Sequence, residues 1–154
     1  MTTAEQRLAA ILPEPPPPLP PTALIDAVAI DEATAYVSGQ VAFTGSGGPL
    51  LGRVGAGVSV DEAATEAAKA TANGLYRLAA ALGSLDRIER MLKATVFVNG
   101  TAELTEHPQV ADGVSRTLLD VLGERGRHAR SAVGVASLPL GVPVEVELVA
   151  RVLR

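Results

Sequence analysis

Arg130 and Glu145 are the two side chains whose types and spacing best suit chemistry on a small anion. Arg130 closes a cluster of three cations, with Arg127 and His128, in the stretch GRHARSAVGVASLP at 126–139, after which the chain turns apolar. A guanidinium presents a planar fork matched to a carboxylate. A glutamate projecting from a strand can orient a water or carry a proton. If RSAVGV and PVEVELV pair as neighbouring antiparallel strands through a turn centred near Leu138, the residue opposite Arg130 is about Val146, and Glu145 comes within reach. The same spacing describes a structural salt bridge on a sheet face, and both readings stand. Glu147, on the face of Glu145, reads as a solvated or interfacial charge.

Other chemistries find little in the chain. The two histidines, His107 and His128, share no HxxxH or HExxH spacing, and there is no cysteine, so no metal site is expected. The same absence removes disulfides and thiolate catalysis. VSGQV lacks the G-x-S-x-G elbow, so Ser38 reads as a strand-end hydroxyl rather than a nucleophile. The glycines of GSGGPLLGRVGAG lack the Lys-Ser/Thr pair of a phosphate loop, and no cofactor is implied.

The elements that must position these residues follow from periodicity. TAEQRLAAIL reads as a short helix with a Thr3–Gln6 capping box, halted at Pro13. PEPPPPLPP, residues 13–21, holds seven of the eleven prolines and favours polyproline II. It is either a stiff arm that lays the first helix on the body or a ligand for an SH3-like partner; no flanking Arg or Lys orients such a partner. LIDAVAI and AYVSGQVAF read as strands joined by a hairpin loop, and a short strand is placed near Leu50 to Arg53. The clearest helix starts at a Ser59–Glu62 capping box and ends at Gly83, with a stripe of Ala64, Ala67, Ala68, Thr71, Leu75, Leu78 and Leu82. KATVFV is a central strand. HPQVADGVSRTLLDVLG is a second helix, ended by Gly123. The two C-terminal strands close the order β-β-(β)-α-β-α-β-β. Two helices cover only one face of such a sheet, so the other face requires burial, most economically against other copies.

The 154 residues suffice for one domain burying roughly 70% of its unfolded surface. With 47% hydrophobic and 3% aromatic residues, the core must be Ala, Val and Leu. A net charge of -4 without basic runs gives nucleic acid little to hold. MTTAEQRLAAIL lacks the basic start and apolar block of a signal peptide, and no run approaches the roughly 20 apolar residues of a membrane span. A cytoplasmic location is the expectation, with no membrane or nucleic-acid partner.

Several motifs together resemble the Rid (reactive intermediate deaminase) family, also called YjgF-like or endoribonuclease L-PSP-like. They are YVSGQV at 36–41, AAKATANGLYRLAAALGSLDRI at 67–88, KATVFV at 93–98 and ARSAVGVASLPLGVPVEVE at 129–147. The resemblance spans roughly residues 24–154, leaving residues 1–23 as an N-terminal helix and arm that suggest a divergent subgroup. It implies an α+β, chorismate-mutase-like fold: a mixed sheet with two helices on one face, assembled as a homotrimer around a sheet-lined core, with sites in clefts between subunits.

The resemblance also implies site roles. Arg130 would bind a substrate carboxylate, and Glu145 would position a water with help from the Ala132 carbonyl. Ser38, Gly39 and the place of Leu24 would line the pocket. The implied reaction is hydrolysis of a 2-imino or 2-enamino acid to a 2-keto acid and ammonia. Three positions depart from the family pattern. Leu24 or Ile25 stands where deaminating members carry a Tyr, Ala111 or Asp112 where they carry an Asn, and Ala132 where a Cys is common. A trimeric keto-acid binder without catalysis, an endoribonuclease, and a partner-binding role for the arm are the other functional readings.

Overall fold

The protein is described here from a computed structural model covering residues 1–153. Local chemistry sets the helix ends. Helices α1 (Ala4–Ile11) and α2 (Val60–Leu82) begin at reciprocal capping boxes. The Thr3 and Ser59 hydroxyls accept the N–H of Gln6 and Glu62, whose side chains accept the cap N–H groups in return. α2 stops at Gly83, whose φ of 83° lies in the left-handed region. Helix α3 (His107–Leu122) carries Pro108 in its first turn, where no N–H is needed.

The strands are β1 (Val28–Asp31), β2 (Thr34–Gln40), β3 (Arg53–Val54), β4 (Gly57–Val58), β5 (Ile88–Val98), β6 (Ala129–Gly134) and β7 (Val144–Val152). β3 falls at the end of the expected Leu50–Arg53 segment, forms a two-stranded sheet with β4, and bridges from Val54 to Gly100 beyond β5. The others form one mixed sheet in the order β1-β2-β7-β5-β6. β5 runs antiparallel to β7 and parallel to β6. A parallel pair needs a crossover, which α3 provides.

This order corrects the expected pairing of the two C-terminal strands. β6 and β7 are not neighbours, because β5 lies between them. The segment joining them is long enough to straddle the end of β5. At its start the Val135 N–H donates to the Val98 carbonyl, and at its end the Pro143 carbonyl accepts from the Asn99 N–H, both at 2.9 Å.

Alternation then sorts the two sheet faces. Ala94, Val96 and Val98 of β5, and Val144, Val146, Leu148 and Ala150 of β7, are buried beneath the helices. The opposite face leaves Tyr36 and Val133 exposed, whereas the exposed Ile30, level with Ala35 and Ala150, lies on the helix side at the edge strand β1. α2 lies over β2 and β7, and α3 over β5 and β6. The buried stripe of α2 differs slightly from expectation. Ala63 and Ala70 are fully buried, whereas Ala64, Ala68 and Leu82 are only partly so.

Three helices, not two, shield this core. Ala4, Leu8 and Leu12 belong to the same buried cluster as the sheet. The Arg7 guanidinium donates to the Val121 carbonyl at 3.0 and 2.6 Å, satisfying an orphan acceptor in the last turn of α3. The proline arm lies along α2: the Tyr76 hydroxyl donates to the Leu12 carbonyl at 2.6 Å, and Arg77 donates to Pro17 at 2.7 Å. No helix among the described residues is long and apolar enough to cross a membrane.

α2 and α3 touch backbone to backbone at Gly113. A Cβ there would lie 2.1 Å from the Ala64 carbonyl oxygen, a contact no rotamer change relieves. Gly113→Ala must therefore push the helices apart. We expect a loss of about 1–3 kcal/mol in urea denaturation. A variant as stable as the parent would show that the helices have slack at this crossing.

Candidate functional site

Arg130 sits on β6, level with Ala94 of β5, which is level with Leu148 of β7. Its side chain therefore leaves the sheet on the helix side, at the edge, beneath α3. Asp112 and Ser115 stand three residues apart on α3, so they share a face. The Arg130 Nη1 donates to Asp112 Oδ1 at 2.9 Å and to Ser115 Oγ at 3.1 Å. The Arg130 side chain keeps 25% of its surface exposed, and that of Asp112 45%.

His128 extends this network. Its Nδ1 lies 2.6 Å from the Gly126 carbonyl oxygen, which can only accept, so Nδ1 carries the proton. In the neutral ring Nε2 is then an acceptor. The Ser115 hydroxyl, 3.0 Å away, donates to it. Ser115, His128 and Arg130 line one open cleft of about 610 Å³, together with Arg90 and Arg127. Arg127 is paired to Glu124 at 2.7 Å.

Glu145 lies elsewhere. It is level with Phe97 on β5, one residue out of phase with the Arg130 row, and so projects from the open face. Burial and the neighbouring Glu147 raise its carboxyl above the usual range, burial being the larger cause. Gly39 makes room for it. A Cβ at Gly39 would lie 1.9 Å from the Glu145 Oε1. Three residues along β5 and two strand spacings separate the backbones of Arg130 and Glu145, roughly 10 Å in each direction. With opposite faces added, the expected pair does not form within the chain. The sequence argument had assumed adjacency, and the intervening β5 removes it.

The remaining predicted residues are scattered. Ser38 donates its hydroxyl to the Asp26 carbonyl at 2.6 Å and so braces the strand end. Leu24 is fully exposed and lines no cleft with Arg130. Ala132 lies on β6 opposite Val96, partly buried on the Arg130 side. Among the described residues the β6 edge away from β5 has no strand partner. Among the described residues no three His, Cys, Asp or Glu side chains gather as metal ligands would.

Two side chains of this cleft carried no local signal in the sequence. Ser115 carried no motif, and His128 read as one more loop cation. Their signal is the parallel β5–α3–β6 crossover, which lays the middle of α3 over the start of β6. Recognising that crossover would have placed Asp112 and Ser115 beside Arg130.

Comparison with known proteins agrees with this architecture. A family model described as "YjgF/chorismate mutase-like, putative endoribonuclease" matches residues 19–152. Protein TCP17 of Trypanosoma cruzi is 45% identical over 113 residues, covering 73% of this chain and 71% of that protein. The crystal structure of Atu1372 from Agrobacterium tumefaciens, a protein of unknown function, is 36% identical. It superposes with a TM-score of 0.86 over 97% of this chain and 92% of that one. A "putative endoribonuclease" from Shewanella oneidensis MR-1 is 30% identical, with a TM-score of 0.88 over 98% of this chain and 100% of that one.

The raised carboxyl of Glu145 has a signed consequence. A carboxyl whose folded pKa lies above its unfolded value supports the fold most when protonated, and that support fades as pH rises through the folded value. Glu145→Gln should therefore melt higher than the parent at pH 7, with the gain vanishing on acidification below the ordinary glutamate range. Thermal melts across pH check this; a gain that persists in acid would assign it to another cause. Gly39→Ala should displace the Glu145 carboxylate while leaving the melting temperature nearly unchanged, because a flexible side-chain end can yield. A crystal structure of the variant with Glu145 in place would contradict this.

Proposed function

The chain belongs to the YjgF/chorismate mutase-like family, and from that premise we propose that it hydrolyses reactive 2-imino or 2-enamino acids to 2-keto acids and ammonia, in clefts between the subunits of a homotrimer. The observation that carries the reading is the division of Arg130 and Glu145 between opposite faces of the sheet. A small carboxylate cannot touch both within one chain. A second copy that lays its open face against the β6 edge brings its Gly39–Glu145 wall toward Arg130. The exposed Tyr36 and Val133 of the open face, and the unpaired β6 edge, support such packing.

In that cleft the Arg130 guanidinium anchors the substrate carboxylate and so fixes the C=N carbon beside Glu145. Glu145, its basicity raised by burial, takes a proton as water attacks that carbon. From the protonated imine this gives a carbinolamine, which collapses: Glu145 returns its proton to nitrogen, the regenerated carboxylate accepts the hydroxyl proton, the C–N bond breaks, and ammonia leaves as the ketone forms. The Ala132 carbonyl, on the edge strand β6, is a second acceptor for the water. No cofactor enters.

Two observations favour a second reading, a trimeric keto-acid binder without turnover. Asp112 already engages Arg130, and Leu24, where related deaminases carry a hydroxyl, is wholly exposed. The endoribonuclease role in the names of relatives draws less support, since the net charge is -4 and carboxylates neutralise Arg127 and Arg130.

Freshly generated 2-iminopropionate distinguishes these readings. The parent should accelerate release of ammonia and pyruvate, and Arg130→Ala should lower kcat/KM by about a hundredfold or more. Turnover indifferent to Arg130→Ala would sink the deaminase reading. Pyruvate that raises the melting temperature without turnover of the imine would favour the binder. Light scattering should give three times the chain mass, and a monomer would exclude the composite cleft.

A further inference from the structure

The hydrogen-bond chain beside Arg130 has a polarity that imine hydrolysis does not use. The Gly126 carbonyl holds the proton on His128 Nδ1, at 2.6 Å. That leaves Nε2 as a free base 3.0 Å from Ser115 Oγ, and the serine proton points at it. Ser115 and Arg130 both line the cleft, and Oγ accepts from the Arg130 Nη1 at 3.1 Å. A nucleophile, a base within hydrogen-bond reach, a third group orienting that base, and a cation where negative charge would develop are the elements of a covalent acyl-transfer site. A backbone carbonyl does here what a carboxylate does in a full triad: it selects the tautomer and the ring orientation.

We propose that Ser115 is a nucleophile activated by His128, and that the cleft hydrolyses small esters through an acyl-serine. Ser115 Oγ attacks the ester carbonyl carbon while its proton passes to His128 Nε2. The carbonyl oxygen becomes an oxyanion beside the Arg130 guanidinium. Collapse breaks the bond to the alkoxide, which departs with the proton from Nε2. Water then attacks the acyl-serine, giving its proton to Nε2, and collapse returns that proton to Oγ with release of the acid. Arg90, in no ion pair among the described residues, and Arg127 line the same cleft, so an acyl part with a negative charge is preferred.

p-Nitrophenyl acetate and mono-p-nitrophenyl succinate are the probes, applied to the full-length protein. Release of nitrophenol should accompany transfer of one acyl group, located by peptide mapping at Ser115 and absent in Ser115→Ala. His128→Asn keeps a donor for the Gly126 carbonyl but loses the base, so it should fold normally and label at least about tenfold more slowly. The succinate ester should react faster than the acetate, and Arg90→Ala should narrow the difference. Acylation confined to lysines or the N-terminus, or a His128→Asn protein that labels Ser115 at the parent rate, would overturn the proposal. The adduct is read without any imine substrate, so failure of deamination leaves this test unaffected.

Discussion

The parallel pairing of β5 with β6 is the constraint on which the rest of the structure depends. Antiparallel neighbours can turn back on themselves, but a parallel pair must be joined across the sheet. α3 makes that crossing and comes to rest over β5 and β6. Asp112 and Ser115 thereby stand above Arg130. The same pairing occupies the slot beside β6 that β7 would otherwise take. One topological fact therefore builds the cation side of the molecule and removes Glu145 from it.

The two faces of the sheet acquire different electrostatics as a result. On the helix side, at the β6 edge, three guanidiniums and an imidazole line a single cleft, only partly neutralised by Asp112 and Glu124. On the open side, Glu145 and Glu147 lie two residues apart on one strand face, and Glu145 is pressed into partial burial against Gly39. The cation cleft and the Glu145–Glu147 pair therefore carry opposite excesses of charge. Under the proposed hydrolysis, a ligand that needs both an anchor and a positioned water would draw on two copies of the chain. A ligand that needs a nucleophile beside a cation finds both within one.

The N-terminal segment shows how an apparent appendage is tied to the core. Leu8 is only 1% exposed, Arg7 closes the last turn of α3, and Glu5 accepts from Ser84 and Leu85 at the far end of α2. The prolines between α1 and β1 carry no backbone N–H, so the arm lies across α2 at little cost in unsatisfied donors. It meets α2 through its own carbonyls, which Tyr76 and Arg77 satisfy.

Features governed by neighbours in the chain were legible in the sequence. The capping boxes at Thr3–Gln6 and Ser59–Glu62, the stop at Gly83, the β1–β2 hairpin and the β-branched centre of β5 each rest on interactions within a few residues. The family signature of residues 36–41 and 129–147 likewise pointed to the matched fold. What the sequence by itself determined was thus the elements, their order and which residues carry charge. Tertiary structure alone decided who meets whom. Strand adjacency is a contest among non-local pairings, and a single intervening strand moved Glu145 away from Arg130 and onto the other face. The same choice put Ser115 and His128, separated by the end of α3 and a tight turn, within hydrogen-bond distance of each other.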